Sequence, residues 1–169
     1  PALAGTTRLH PDPEAIGRVA ELLLRAERPV LLADFVGRHP DGMGHLVELA
    51  EAVSAGVIDH GSRLNFPTRH PLNVTGSDAL EKADVVVALD VQDLHYAVSK
   101  LDRTSRADSA RRVVSRLQPG CTLVDISFGD TRLSSWVQDH GDYQAADLSI
   151  LADTVAAIPA LTAAVRARA

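Results

Sequence analysis

Three apolar runs of this chain end in an aspartate, VLLAD at Asp34, VID at Asp59 and DVVVALD at Asp90, and a fourth, TLVDIS, carries Asp125 within it. At the carboxyl end of a buried parallel strand a carboxylate can accept two hydrogen bonds at once, which suits the hydroxyls of a ribose. Aspartate also ends strands and caps loops, and that plainer role stays open beside ligand contact. A dinucleotide fingerprint needs glycines directly after the first strand, so that the turn is tight and a helix N-terminus meets the pyrophosphate. Here Gly37, Gly42 and Gly44 come late and no GxGxxG occurs. A looser site, using the backbone N–H groups of residues 35–38 and the start of the next helix, stays open. Neither a Walker pattern nor a GxSxG elbow is present.

His10, His39, His45, His60, His70, His95 and His140 form no HxxxH or HExxH pair, so no metal site is expected. The single cysteine, Cys121, excludes an internal disulfide. It opens an apolar run and reads as a buried structural thiol. No nucleophile has a base at a recognisable spacing. The stretch Asn65 to Gly76, NFPTRHPLNVTG, is different in kind. Pro67 and Pro71 fix their own φ and push Phe66 and His70 towards extended backbone, giving a stiff loop with a basic tip at Arg69 and His70. Such a loop at a strand end is either a binding surface or a connector that only packs.

The elements that must position these residues alternate. Asp12 and Pro13 are an N-cap and first-turn pair, and Ile16, Val19, Ala20 and Leu23 continue at helical spacing to about Glu27. Val30 to Asp34 follows as a buried strand, then a second helix capped by Asp41, with Leu46, Leu49, Ala50 and Val53 inward and Gly56 as its terminal glycine. Val57 to Asp59 is the second strand, Ser77 to Lys82 one or two helical turns, and Asp84 to Asp90 the third strand. From Val91 to Arg112 the pattern weakens, and DRTSRADSARR reads as an exposed excursion. Thr122 to Ser127 is a fourth strand, a helix or turn lies around Trp136, and Gln144 to Leu148 is a fifth strand. A final helix holds Thr154, Val155, Ile158, Leu161 and Val165, with a kink or restart expected at Pro159. The fold class is α/β: one domain over residues 1–169, with a parallel sheet of five to six strands and helices on both faces.

The 169 residues suffice for one core, and 46% hydrophobic with 23% charged residues is an ordinary globular balance. A net charge of −5 and only 4% aromatic residues argue against a nucleic-acid partner. Neither a membrane-length apolar run nor a signal peptide is seen, so the expected location is cytoplasmic. The first residue is Pro1, which suits processing or a domain cut from a longer protein.

The order of features RPVLLAD, LVELAEAV, FPTRHPL and EKADVVVALD, followed by ADLSILADTVAAIPAL, resembles the central domain of thiamine-diphosphate-dependent enzymes. These are the acetolactate synthase, pyruvate oxidase and benzoylformate decarboxylase relatives, and FPTRHP is most similar to the benzoylformate decarboxylase branch. The resemblance implies a three-layer Rossmann-like domain, of the NAD/FAD-binding type of sheet. It implies a parent enzyme, a lyase or transferase that uses thiamine diphosphate and Mg²⁺ to decarboxylate or carboligate a 2-oxo acid.

In that family the GDG…NN motif that binds the diphosphate and Mg²⁺ lies in the C-terminal domain, and the activating glutamate in the N-terminal one. Neither is in this sequence, which implies a non-catalytic fragment that binds no thiamine diphosphate by itself. Its partners would be those two domains, and a homo-oligomer at full length. Some relatives bind FAD or ADP here. The sequence ADFVGR and the lone Gly76 after His70-Pro71-Leu72 depart from their glycine pattern, so an empty structural domain is expected. If a nucleotide does bind, the matching positions are Asp34, Phe35, Val36, Gly37, Arg38, His60, Asp90, Val91 and Asp125. The alternative to a scaffold is a free-standing module binding FAD or ADP. On the scaffold reading, Phe66, Arg69 and His70 form an interdomain loop, exposed in the fragment and covered in the parent enzyme.

Overall fold

In the computed structural model, residues 8–61, 63–102, 112–128 and 143–169 are described. Strands β1 (Pro29–Ala33), β2 (Gly56–Asp59), β3 (Val85–Leu89), β6 (Thr122–Ser127) and β7 (Leu148–Leu151) form a parallel sheet in the order β2-β1-β3-β6-β7. Strands β4 (Ser99–Asp102) and β5 (Arg112–Ser115) pair antiparallel in a separate hairpin. The helices are α1 (Pro13–Arg25), α2 (Gly42–Val53), α3 (Ala79–Lys82), α4 (Leu94–Ala97) and α5 (Thr154–Arg166).

Period-two alternation sorts the strand residues between two cores. Leu31, Ala33, Val87, Leu89, Val124 and Ile126 meet Ile16, Val19 and Leu23 of α1, Leu46 and Leu49 of α2, and Ile158 and Leu161 of α5. Val30, Leu32, Val86, Ala88 and Leu123 face the other way, onto Leu80 of α3 and Leu94 and Ala97 of α4. Strands β1 and β3 are therefore buried at every residue, which is why they are unbroken apolar runs in sequence. The three-layer α/β architecture is as expected. Among the described residues no helix is long and apolar enough to cross a membrane.

Local chemistry explains the element ends. The Asp12 side chain accepts the N–H groups of Glu14 and Ala15 and starts α1 over Pro13. Asp41 takes the same position before α2 but makes no capping bond through its side chain, and its backbone is already helical. Gly56 does not end α2. Ser54 does, in the left-handed region at φ 52°, while Gly56 opens β2. Helix α5 runs through Pro159 without a restart, because Val155, Ile158, Leu161 and Val165 are buried against its neighbours. The last strand begins at Leu148, where the sequence pattern would have ended it. The segment around Trp136 and most of DRTSRADSARR lie outside the described residues.

The proline loop requires a correction. Phe66 is fully buried in the larger core, not exposed, and His70 is half-buried, with its ring edge-on to Phe66 at 4.8 Å and its Nε2 3.3 Å from Glu51 Oε1. Only Arg69 of the three is exposed. The end of the loop is bonded to the sheet, with Val57 N donating to Leu72 O and Val74 N donating to Val57 O. A ring as large as phenyl, once past the strand end, gains more from the core than from solvent. For Phe66 the connector reading wins over the interdomain one.

At the opposite end of the sheet, Asp84 receives the N–H groups of Glu27 at 2.6 Å and Arg28 at 3.0 Å, tying the entry of β1 to that of β3. Partial burial acts to raise its pKa, but these donors outweigh it and hold the carboxyl below the usual aspartate range.

Two outcomes follow for urea denaturation of the purified chain. Phe66→Ala is expected to cost about 3–5 kcal/mol and Arg69→Ala less than about 0.5 kcal/mol; equal, small effects would return Phe66 to the surface. Asp84→Asn is expected to cost about 1 kcal/mol at neutral pH. Because the folded carboxyl titrates below the unfolded one, that difference should be present above the unfolded value of about 3.9 and shrink as pH falls through the folded value. A difference independent of pH would show that the charge is not what ties the strands.

Candidate functional site

The chain crosses from one side of the sheet to the other between β1 and β3, and ligands in open α/β sheets bind at the carboxyl ends of strands at such a switch point. Asp34 and Asp90 follow β1 and β3 there, in matched register after Ala33 and Leu89. Both carboxylates are buried. Asp90 adopts φ 53°, a left-handed conformation that aspartate tolerates better than most residues.

Arg38 lies between these segments, at the end of the 3-10 turn Val36–Arg38. Its Nη2 is 2.8 Å from Asp90 Oδ2 and 3.1 Å from Asp153 Oδ1. The Phe128 ring, just after β6, covers the guanidinium at 4.7 Å. Thr154 Oγ1 donates to the same Asp90 oxygen at 2.7 Å, and His39 Nε2 lies 3.7 Å from Asp153. Asp153 also caps α5 by accepting the Val155 N–H. One cation thus closes a knot between four segments of the chain. Asp34 Oδ2 accepts the Gln92 N–H at 3.2 Å, while its buried Oδ1 has no hydrogen-bond partner in the structure.

The turn carrying Arg38 is set by Asn65, which is fully buried. Its Oδ1 accepts the Gly37 N–H at 2.9 Å, and its Nδ2 donates to Asp59 Oδ1 at 2.7 Å, to Arg63 O at 2.8 Å and to Ala33 O at 3.3 Å. Asp59 Oδ2 in turn accepts the Asn65 N–H. Glycine is required at 37 because a Cβ there would lie 2.2 Å from the Leu64 carbonyl oxygen. The N–H groups of Gly37 and Arg38 are both bonded within the chain, the second to Phe35 O at 3.1 Å.

Of the sequence-derived positions, the structure gathers Asp34, Phe35, Val36, Gly37, Arg38, Asp90 and Val91 around the switch point. Asp125 points to the α3–α4 face, opposite to Val124 and Ile126, and accepts from Ser127 Oγ at 3.1 Å. His60 follows β2 at the same edge, its N–H donating to Ala33 O at 2.8 Å, but its side chain turns towards α4. Its ring meets Tyr96 edge-on at 5.9 Å, beside a cavity of about 390 Å³ that Lys100 and Arg116 also line. There Glu81 pairs with Arg116 at 3.0 Å; partial burial acts to raise its carboxyl, but Arg116 and other donors keep it below the ordinary range. Cys121 is partly buried, and burial with Asp84 and Asp147 nearby pushes its thiol up, away from nucleophile chemistry.

Sequence reasoning missed Asn65, Asp153 and Phe128 as site residues. Asp153 had a signal, an aspartate just before a helical run. Asn65 had none, since its partners come from three separate segments.

Among the described residues no three His, Cys, Asp or Glu side chains converge on a metal position, and the sequence has no GDG…NN. The described residues thus offer no Mg²⁺ position of the kind a thiamine diphosphate site needs.

No family model and no curated protein matches the chain. Solved structures do. One, from Mycobacterium smegmatis and provisionally assigned as a thiamin diphosphate-dependent enzyme, shares 24% identity at a TM-score of 0.62, over 98% of this chain and 30% of that one. Benzoylformate decarboxylase from Polynucleobacter necessarius shares 18% identity at a TM-score of 0.65, over 97% of this chain and 29% of that one. The fold is that of one segment of each enzyme. The chain spans under a third of their length, and the likeness coincides with the resemblance carried by RPVLLAD, FPTRHPL and EKADVVVALD.

The Asn65 network can be checked by mutation. Asn65→Ala should cost about 1–3 kcal/mol in urea denaturation, since it leaves the part-buried Gly37 N–H without its acceptor. Asn65→Asp should cost more at neutral pH, because it sets a second carboxylate against Asp59, and should recover part of the loss on acidification. An Asp variant as stable as wild type at neutral pH would mean that Nδ2 donates nothing of value.

Proposed function

We propose that this chain is the central domain of a thiamine-diphosphate-dependent enzyme that decarboxylates or carboligates a 2-oxo acid. The observation that carries the reading is that nearly the whole chain overlays one segment, under a third, of a benzoylformate decarboxylase and of a protein provisionally assigned as a thiamin diphosphate-dependent enzyme. The order of the sequence motifs points independently to the same enzymes.

On this reading thiamine diphosphate and Mg²⁺ supply the chemistry from other domains of the parent enzyme, and this domain contributes scaffold and interdomain packing. Its partners are the N- and C-terminal domains, in a cytoplasmic homo-oligomer. Arg69, exposed at the loop tip, remains a candidate interdomain contact; Phe66 does not. Two features support an empty domain over an FAD- or ADP-binding module. The N–H groups of Gly37 and Arg38 already have partners, and the Arg38 guanidinium, the cation nearest the switch point, is already held by the buried carboxylates of Asp90 and Asp153.

The complete reading frame tests the parent assignment: it should encode GDG…NN downstream, and its product should consume a 2-oxo acid only with thiamine diphosphate and Mg²⁺. A frame without that motif sinks the reading. The isolated chain should show no thermal shift with thiamine diphosphate plus Mg²⁺, and a saturable shift would overturn the non-catalytic role.

A further inference from the structure

We infer that the guanidinium of Arg38 is the switch-point crevice's own occupant, a ligand supplied from within the chain that decides what the crevice refuses. Sheets of this kind take ligands where β1 and β3 diverge. Here that place holds a cation bonded through one nitrogen to two buried carboxylates, Asp90 at 2.8 Å and Asp153 at 3.1 Å, and roofed by the Phe128 ring at 4.7 Å.

Three features make Arg38 a fixture and not a surface side chain that happens to fold inwards. Its turn cannot shift towards Leu64, because Gly37 already leaves no room for a methyl group there. Asn65 pins the same turn by its N–H. The carboxylates gain from the cation, since Asp90 and Asp153 are both almost wholly buried and meet at its one nitrogen, their other close donors, Thr154 Oγ1 and the Val155 N–H, being neutral. Two such charges without a counter-ion repel each other in a poorly solvated place. A nucleotide would have to displace the guanidinium and set its phosphates against those carboxylates. Arg38 is in this sense a specificity-determining residue, and the inference holds whichever enzyme the chain comes from.

Chemical rescue tests it. Arg38→Ala should lower the melting temperature by several degrees, and methylguanidinium at millimolar concentration should restore much of that loss saturably, while leaving wild type unmoved. Tetramethylammonium at equal concentration carries the charge without the planar donors, and should restore little. Wild type should show no saturable binding of ADP or FAD by calorimetry. Rescue by both cations alike, no response to methylguanidinium, a variant that melts like wild type, or nucleotide binding to wild type would each overturn the inference. If Arg38→Ala does not fold, Arg38→Gln keeps most of the stem, and the same two cations are compared on it with the same expectations.

Discussion

The carboxamide of Asn65 is the interaction on which the functional edge of this domain depends. A buried amide has two donors and an acceptor to satisfy, and here they reach the ends of two strands and the turn after the first. Ala33 closes β1, Asp59 closes β2, and Gly37 belongs to the turn that carries Arg38. The position of the guanidinium is thus inherited from a residue nearly thirty positions away in sequence. Removing the amide would free the strand ends and the turn together, because they share the same few donors and acceptors.

Above that layer the ion cluster works differently. Asp90 and Asp153 are costly to bury, and the energy returned by one guanidinium in a partly solvated setting does little more than offset that cost. What the arrangement supplies is geometry: it links the first turn, the end of β3, the start of α5 and the segment after β6. Such a cluster selects one relative placement of these segments more than it stabilises the fold as a whole.

The legibility of the molecule in its sequence follows burial. Strands β1 and β3, covered on both faces, are unmistakable as VLLA and VVVAL, and α1 is marked by Asp12, Pro13 and a regular apolar stripe. Phe66 escaped because a single aromatic between polar neighbours has no period to reveal its direction. Strands β4 and β5 escaped because SKLD and RVVS are short and half-solvated, and the boundary of β7 slipped because its buried residue is Ile150 alone. The switch point was visible as a row of terminal aspartates. Their true partners were not, since Arg38, Asp153 and Thr154 meet Asp90 only through the tertiary fold.

Among the described residues β4 and β5 bond to each other and to no strand of the main sheet, and the pair is held by the Arg116 N–H on Val98 O and by the Arg116–Glu81 pair. A change in the number of residues between β4 and β5 therefore leaves the ladders of the main sheet intact, and loop-closure entropy grows only with the logarithm of length. Evolution can rewrite this corner while the sheet stays fixed, making the hairpin the natural place for one member of such a family to diverge in shape from another.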